Sequence, residues 1–234
     1  MEIIIRSLVQ GAKEAEGLVI IIDVFRAFTT AAVAFSKGAD KIILVADVDE
    51  ALALKNNGIA HLAVGEVDGI KPAGFDLGNS PFELASVDIV GKTIVQRTSA
   101  GTLGVTEATK ATKTYLGSLI IADATVQQIL SEKPDLVTLV AMGGDGIIRT
   151  DEDELCAIYM KNLLEDRQID PDLIRSIIQC SDQVLKYANP KISHFHPEDL
   201  EFALDINNLD FAISVEKKQG LLIAQPTKKQ INNI

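Results

Sequence analysis

Apolar runs of four to six residues, rich in Ile and Val, recur along the chain between amphipathic stretches of ten or more. Short β-branched runs read as strands and the longer 3.6-residue periodicity between them reads as helix, so the pattern is one of repeated strand–helix–strand units. Strands are predicted over residues 2–5, 18–23, 41–45, 61–64, 93–97 and 136–140. Helices are predicted over 28–36, 49–56, 81–85, 102–111, 125–132, 152–166, 171–179 and 197–204. The strands are nearly continuous in apolar character, which is the mark of burial on both faces. An α/β fold is expected, with a predominantly parallel or mixed sheet flanked by helices. Residues 211–216 and 221–225, joined around Lys218-Gln219-Gly220, read as a closing hairpin, and the polar tail after Pro226 is expected to fray. No internal repeat or low-complexity segment interrupts the pattern. One unit over 1–234 is expected, with a subdomain seam near residue 150, where strands give way to a mainly helical section.

Composition narrows the classes of function. A length of 234 residues corresponds to about one and a half domains, and 47% hydrophobic with 24% charged residues is the balance of a chain with a real core. Basic residues number 22 and acidic ones 33, a net charge of -11, with a pI near 4.7. The Lys and Arg form no stripe. Nucleic acid and anionic membrane surfaces are therefore disfavoured as partners. The longest apolar run, 18–22, is far short of the ~20 residues that span a bilayer, and Met1-Glu2-Ile3-Ile4-Ile5-Arg6 lacks a cationic-then-apolar signal. A cytoplasmic protein is expected. The two cysteines, Cys156 and Cys180, both lie in helical-looking segments and read as buried free thiols of a reducing compartment. With no Trp and 5% aromatics, a stacking platform for bases or sugars is not on offer.

In open α/β sheets the ligand crevice lies beyond the carboxyl ends of strands. Asp23-Val24-Phe25-Arg26-Ala27 follows one such end. Asp23 there can hold Mg²⁺ and Arg26 can fork onto phosphate or carboxylate; equally, Asp23 can cap the next helix and pair with Arg26. The Gly-rich connection 65–81 exceeds the ~12 residues usual for a loop without structure of its own. Within it Glu66 and Asp76 can face a metal. Asn79 and Ser80, before Pro81, sit at a helix start that either binds an anion or is simply capped. Arg97-Thr98-Ser99-Ala100-Gly101-Thr102 joins small hydroxyl residues and Gly to another helix start, suiting phosphate or ordinary capping by Ser99. No neighbouring His in sequence activates Ser99 or Thr98 as a nucleophile. Met142-Gly143-Gly144-Asp145-Gly146 leads into Arg149-Thr150-Asp151-Glu152-Asp153-Glu154. Those acids suit a helix macrodipole and a capping box; Asp145, Glu152 or Asp153 can also complete a metal shell, and Arg149 can face an anionic substrate. His194-Phe195-His196 reads as a pair of solvent-exposed loop histidines, since no cysteine or third His is close enough to complete a zinc site.

Familiar motifs are eliminated by spacing. Gly91-Lys92-Thr93 imitates the end of a phosphate-binding P-loop, but Ser86 stands where that loop needs Gly, and Thr93 opens a strand rather than a helix. Neither cysteine is followed at the right spacing by the Arg of a cysteine phosphatase, because Asn162 and Lys186 occupy those positions. Val24 and Phe25 follow Asp23 where an aspartyl-phosphate enzyme would place a second Asp, and no dinucleotide-binding glycine motif opens a helix.

Four blocks remain: Asp23-Val24-Phe25-Arg26-Ala27, Gly74-Phe75-Asp76-Leu77-Gly78-Asn79-Ser80-Pro81, Gly91-Lys92-Thr93-Ile94-Val95 and Glu152-Asp153-Glu154-Leu155-Cys156-Ala157. In that order, across 18–160, they resemble the 2-phosphosulfolactate phosphatase (ComB) family, and the second block is the most specific. The resemblance implies two interlocked subdomains, a homodimer, and a Mg²⁺-dependent hydrolase. Its substrate would be a small anionic phosphorylated molecule, 2-phosphosulfolactate, cleaved to sulfolactate and phosphate early in coenzyme M synthesis. Typical members carry Thr-Thr-Asn-Gly-Thr-Arg after the Gly-Lys-Thr strand. Here Ala100 replaces the Asn and Leu103 the Arg, while Arg97 adds a cation upstream.

On this basis Mg²⁺ is expected on Asp23, Glu66 and Asp76, helped by Asp145 or Glu152. The expected catalytic set is Asp23, Arg26, Asp76 and Glu152. The expected substrate-binding set is Asn79, Ser80, Arg97, Thr98, Ser99, Gly101, Thr102 and Arg149, with Arg97, Arg149 and Lys71 available to a second anionic group. A phosphatase of another small phosphorylated hydroxy acid and a non-catalytic anion-binding protein are the rival readings. The section after Gln168 is expected to be scaffold or interface.

Overall fold

The computed structural model describes residues 1–189 and 191–227; the expected fraying of residues 228–234 lies outside the described residues. Among the described residues nine strands form one sheet: β1 (Glu2–Ser7), β2 (Gly17–Ile22), β3 (Lys41–Val45), β4 (Leu62–Gly65), β5 (Thr93–Arg97), β6 (Ala111–Gly117), β7 (Leu136–Ala141), β8 (Ile213–Lys218) and β9 (Leu221–Pro226). The helices are α1 (Leu8–Glu14), α2 (Ala27–Ser36), α3 (Val48–Asn56), α4 (Pro81–Ala85), α5 (Gly101–Glu107), α6 (Ala122–Glu132), α7 (Asp151–Leu164), α8 (Pro171–Gln179), α9 (Asp182–Leu185) and α10 (Pro197–Ala203). Among the described residues, no helix is long and apolar enough to cross a membrane.

The strand order is β1-β7-β2-β6-β8-β9-β3-β5-β4. The strands β1, β7, β2 and β6 are mutually parallel, as are β3, β5 and β4. The β8–β9 hairpin separates the two sets through three antiparallel pairings. Its turn is a two-residue loop with positive φ at both Gln219 and Gly220, the geometry that matches strand twist.

Side-chain parity distributes the apolar strands between layers. In β2, Val19 and Ile21 enter a central core with Phe28 and Ala31 of α2. Leu18, Ile20 and Ile22 pack instead with Val126 and Ile129 of α6 and with Cys156 and Met160 of α7. In β3, Ile42 and Leu44 join the central core, while Ile43 and Val45 pack on Ala51 and Leu54 of α3. The central core thus draws on both parallel sets, and α5 touches β2, β3 and β5. The loops that follow the carboxyl ends of β2, β4, β5 and β7 meet at one place. Every residue of α2 from Ala27 to Phe35 is buried, as expected of a helix that is apolar or small all round. Burial of a side chain such as Phe28 contributes roughly 1.5–3 kcal/mol.

Several elements depart from the sequence pattern, among them α9, which was not expected. The short α1 was not expected; Gly11 and Ala12 are buried, and the helix packs on β1, β7 and α5. The helix expected over 102–111 stops at Glu107, and Ala111–Gly117 is a strand. Its first half is polar, but pairing with β2 on one side and β8 on the other makes it an inner strand. Cys156 is buried, whereas Cys180 is exposed, against the expectation of two buried thiols.

Candidate active site

At the gathered strand ends lies a cavity of about 80 Å³. Asp23 and Arg26 follow β2, Glu66 and Asn79 belong to the connection after β4, and Ser99 and Ala100 follow β5. Gly143, Gly144 and Asp145 follow β7, and Lys186 and Phe195 come from the C-terminal section. A larger cleft of about 430 Å³ lies between α6 and residues 207–212, and no cation lines it among the described residues.

Asp23 is 6% exposed. Its Oδ1 accepts a hydrogen bond from the Ala27 amide at 2.9 Å, at the start of α2. Burial pushes its carboxyl up to about 7, and the negative charges of Glu66 and Glu152 add to this against the pull of the Ala27 and Gly101 amides. Glu66 joins two loops: Oε1 accepts from the Ser99 amide and Oε2 from the Gly69 amide, both at 2.6 Å. Glu152, on the first turn of α7, is buried, and its Oε2 has no hydrogen-bond partner among the described residues. Burial is the main cause of its raised pKa. Asp153 straps the ends of β2 and β7 together, accepting from the amides of Val24 and Gly143, each at 2.8 Å.

Two cations face these acids. Arg26 is buried; its Nη1 donates to Asp199 Oδ2 at 2.7 Å and to the His194 carbonyl at 2.8 Å. Its guanidinium lies 4.5 Å from the centre of the Phe195 ring. Lys186 is half-buried, and its Nζ donates to Gln183 Oε1 at 2.9 Å. Burial lowers its pKa; Arg26 adds to that, whereas Glu152, Asp23 and Asp145 oppose it. Tyr187 packs edge-on against Phe25 and Phe195 and closes this wall.

Several residues expected at the site are engaged elsewhere. Asp76 does not join Asp23 and Glu66: its carboxylate bonds Lys55 Nζ and the Ala63 amide, both at 2.8 Å. This corrects its expected catalytic and metal-binding roles, because a nearby cation and a free strand-end donor already claim both oxygens. Arg149 is exposed and forks onto Glu154 at 2.7 and 2.9 Å, so it does not line the cavity. Arg97 ties loops together by donating to the carbonyls of Ala46 at 3.0 Å and Glu66 at 2.6 Å. The Thr98 and Thr102 hydroxyls accept from each other's amides at 3.0 and 2.8 Å and are spent on the turn. The Ser80 hydroxyl donates to Asp199 at 2.6 Å and accepts from the Glu83 amide, capping α4. Ser99 reaches the cavity, but its amide and hydroxyl both point at Glu66. Gly101 acts on Asp23 through its amide and its lack of a side chain. Asn79 does line the cavity, with a buried Oδ1 that has no partner among the described residues.

The C-terminal section is more than scaffold, since Lys186, Tyr187, Phe195 and Asp199 all build the site. The histidines are partly buried rather than exposed; His196 Nε2 lies 2.8 Å from Glu83 Oε1. The one signal for this contribution was the aromatic and histidine cluster immediately before Pro197. Among the described residues, no group of three or more His, Cys, Asp or Glu side chains is gathered closely enough to hold a metal ion.

A family model described as 2-phosphosulpholactate phosphatase matches residues 3–217. The chain belongs to the 2-phosphosulpholactate phosphatase family. That family is one of phosphoric monoester hydrolases, and the match runs through every strand from β1 to β8. Among relatives, a probable 2-phosphosulfolactate phosphatase of Carboxydothermus hydrogenoformans is 32% identical over 90% of this chain and 91% of its own length. One of Caldicellulosiruptor saccharolyticus is 34% identical over 81% of this chain and 78% of its own. One of Bacillus subtilis is 35% identical over 64% of this chain, a match that spans 65% of that relative, just under two thirds.

Proposed function

We propose that the protein is a Mg²⁺-dependent phosphatase that hydrolyses 2-phosphosulfolactate to sulfolactate and phosphate at the Asp23 cavity. The single observation that carries this reading is Asp23 itself, a buried strand-end carboxylate pushed up to about 7 beside two further acids. Carboxylates crowded in this way repel an anionic substrate, and a divalent cation reverses the sign of the site. The donor set fits Mg²⁺, which is commonly held by one or two carboxylates together with waters and substrate phosphate oxygens. Asp23 and Asp145 would hold it, while Glu66, its oxygens already on the Ser99 and Gly69 amides, and the Glu152 oxygen that has no partner among the described residues supply negative charge beside them. When bound, the cation supplies charge neutralisation at the phosphoryl group.

The chain's own residues account for the rest. Asp23, whose burial favours the neutral form in the metal-free chain, would be held ionised by the cation it ligates. Arg26 is clamped through Nη1 by Asp199 and the His194 carbonyl, so its cavity-facing guanidinium is fixed before substrate arrives. Asn79 offers its amide to the substrate from the connection after β4. Because Arg97 and Arg149 are engaged elsewhere, a phosphatase of another small phosphorylated hydroxy acid is the second reading.

Phosphate release from 2-phosphosulfolactate and from a panel of phosphorylated hydroxy acids tests both, with Mg²⁺ and with chelator. Wild type is expected to require Mg²⁺, and Asp23→Asn to lose turnover while keeping its circular dichroism spectrum. Hydrolysis indifferent to chelator, or an Asp23→Asn variant at wild-type rate, overturns the proposal.

A further inference from the structure

The two cations of the cavity are not equivalent. Arg26 has a carboxylate of its own, Asp199, at 2.7 Å, and both side chains are almost wholly buried. That pair is neutral before any ligand binds. Among the described residues Lys186 has no carboxylate within ion-pair distance, and of its three N–H donors only one is used, on Gln183 of α9. The ammonium lies 5.9 Å from the Tyr187 ring and 5.0 Å from the Phe195 ring, so two aromatic faces fix its aim at the cost of part of its hydration. It shares the cavity with Asp23 and Asp145. Asn79 lines the same cavity, and its Oδ1 is a buried acceptor with no partner among the described residues, suited to a cation or a donor rather than to phosphate oxygens.

We propose that Lys186 is the phosphoryl-binding cation of this site, donating to the oxygens of the phosphate group that lies beside Asp23. The inference rests on the phosphatase reading for the chemical class of its ligand. The other, non-phosphoryl end of the substrate is directed elsewhere. A neighbouring cavity of about 70 Å³ shares Gly69 and Asn79 with the first and is lined by Lys71 and His194. Lys186 and Phe195 therefore take part in recognition, although they lie far in sequence from the strand-end loops.

Calorimetric titration of wild type, Lys186→Met and Lys186→Arg with inorganic phosphate and, separately, with sulfolactate, all in Mg²⁺, tests this, with a thermal melt to match the folds. Loss of a charge-assisted contact is expected to weaken phosphate binding by about tenfold or more in Lys186→Met, with most of it regained in Lys186→Arg. Sulfolactate binding is expected to change less than about twofold, because that molecule has no phosphoryl group to lose contact with. Phosphate binding that is unchanged in Lys186→Met overturns the inference. So does a loss confined to sulfolactate, which would assign Lys186 to the acid end. Lys186-dependent phosphate binding in a protein that cleaves no phosphate ester upholds the inference and ends the phosphatase reading. Hydrolysis alongside Lys186-independent phosphate binding does the reverse.

Discussion

Gly101 is packed directly against Asp23: a Cβ at position 101 would stand 2.8 Å from Asp23 Oδ2 and 2.7 Å from the Ala27 Cβ. Even one methyl group must displace the carboxylate or the first turn of α2. Gly101→Ala is expected to lower kcat by about tenfold or more and to destabilise the fold by ~1–3 kcal/mol, the usual range for overpacking. Phosphate-release kinetics and a urea melt on the same variant check the two effects.

The Arg26–Asp199 pair joins the β2 loop to α10 in the interior. Asp199 also receives the Ser80 hydroxyl at 2.6 Å and the Phe82 amide at 3.2 Å. Asp199→Ala strands a buried guanidinium and those two donors, and is expected to cost about 3–5 kcal/mol. Arg26→Met combined with Asp199→Leu removes both charges together and is expected to cost less than Asp199→Ala alone. Denaturant midpoints of the two variants decide this.

Asp23 makes the metal-free protein sensitive to alkali. Its carboxyl titrates at about 7 when folded, against 3.8 as the ordinary value. Between these values the folded chain holds a proton that the unfolded chain has released, so stability falls as pH rises through this window. Asp23→Asn abolishes that loss. Its melting temperature is expected to exceed that of wild type at about pH 8 and to match it at about pH 4. Adding Mg²⁺ at the higher pH is expected to raise the wild-type melting temperature and to leave Asp23→Asn nearly unchanged.

Asp76 behaves in the opposite sense. Burial works to raise its pKa, but hydrogen bonds from Lys55 and the Ala63 amide, with the Lys55 charge, outweigh it and lower the value below 3.8. Its contribution is therefore complete above the ordinary carboxylate value and is lost as pH falls through the folded one. Asp76→Asn is expected to lower the urea midpoint at about pH 6 and to converge with wild type towards pH ~3. Its turnover at neutral pH is expected to stay close to wild type, since Asp76 lies outside the cavity.

Much of the site was legible one strand at a time. Asp23, Glu66 and Ser99 were found because each follows an apolar run, and a residue just past a buried strand is carried to the sheet's carboxyl edge wherever that strand sits. Partner choice was not legible. Arg97, Arg149 and Asp76 have the right chemistry for the site, yet the backbone carbonyls of Ala46 and Glu66, the Glu154 carboxylate and Lys55 reach them first. Such competition between nearby groups depends on distances that spacing along the chain does not encode.

Local sequence by itself determined most helices and strands, the α/β class and the acids at the strand ends, because periodicities of two and 3.6 are imposed by immediate neighbours along the chain. Only the tertiary structure decided that Ala111–Gly117 is an inner strand, that the β8–β9 hairpin divides the sheet between β6 and β3, and that Lys186, Phe195 and Asp199 close on Asp23 and Arg26. These outcomes rest on pairing, burial and charge neutralisation between segments far apart in sequence. They are set by which surfaces meet once the segments come together.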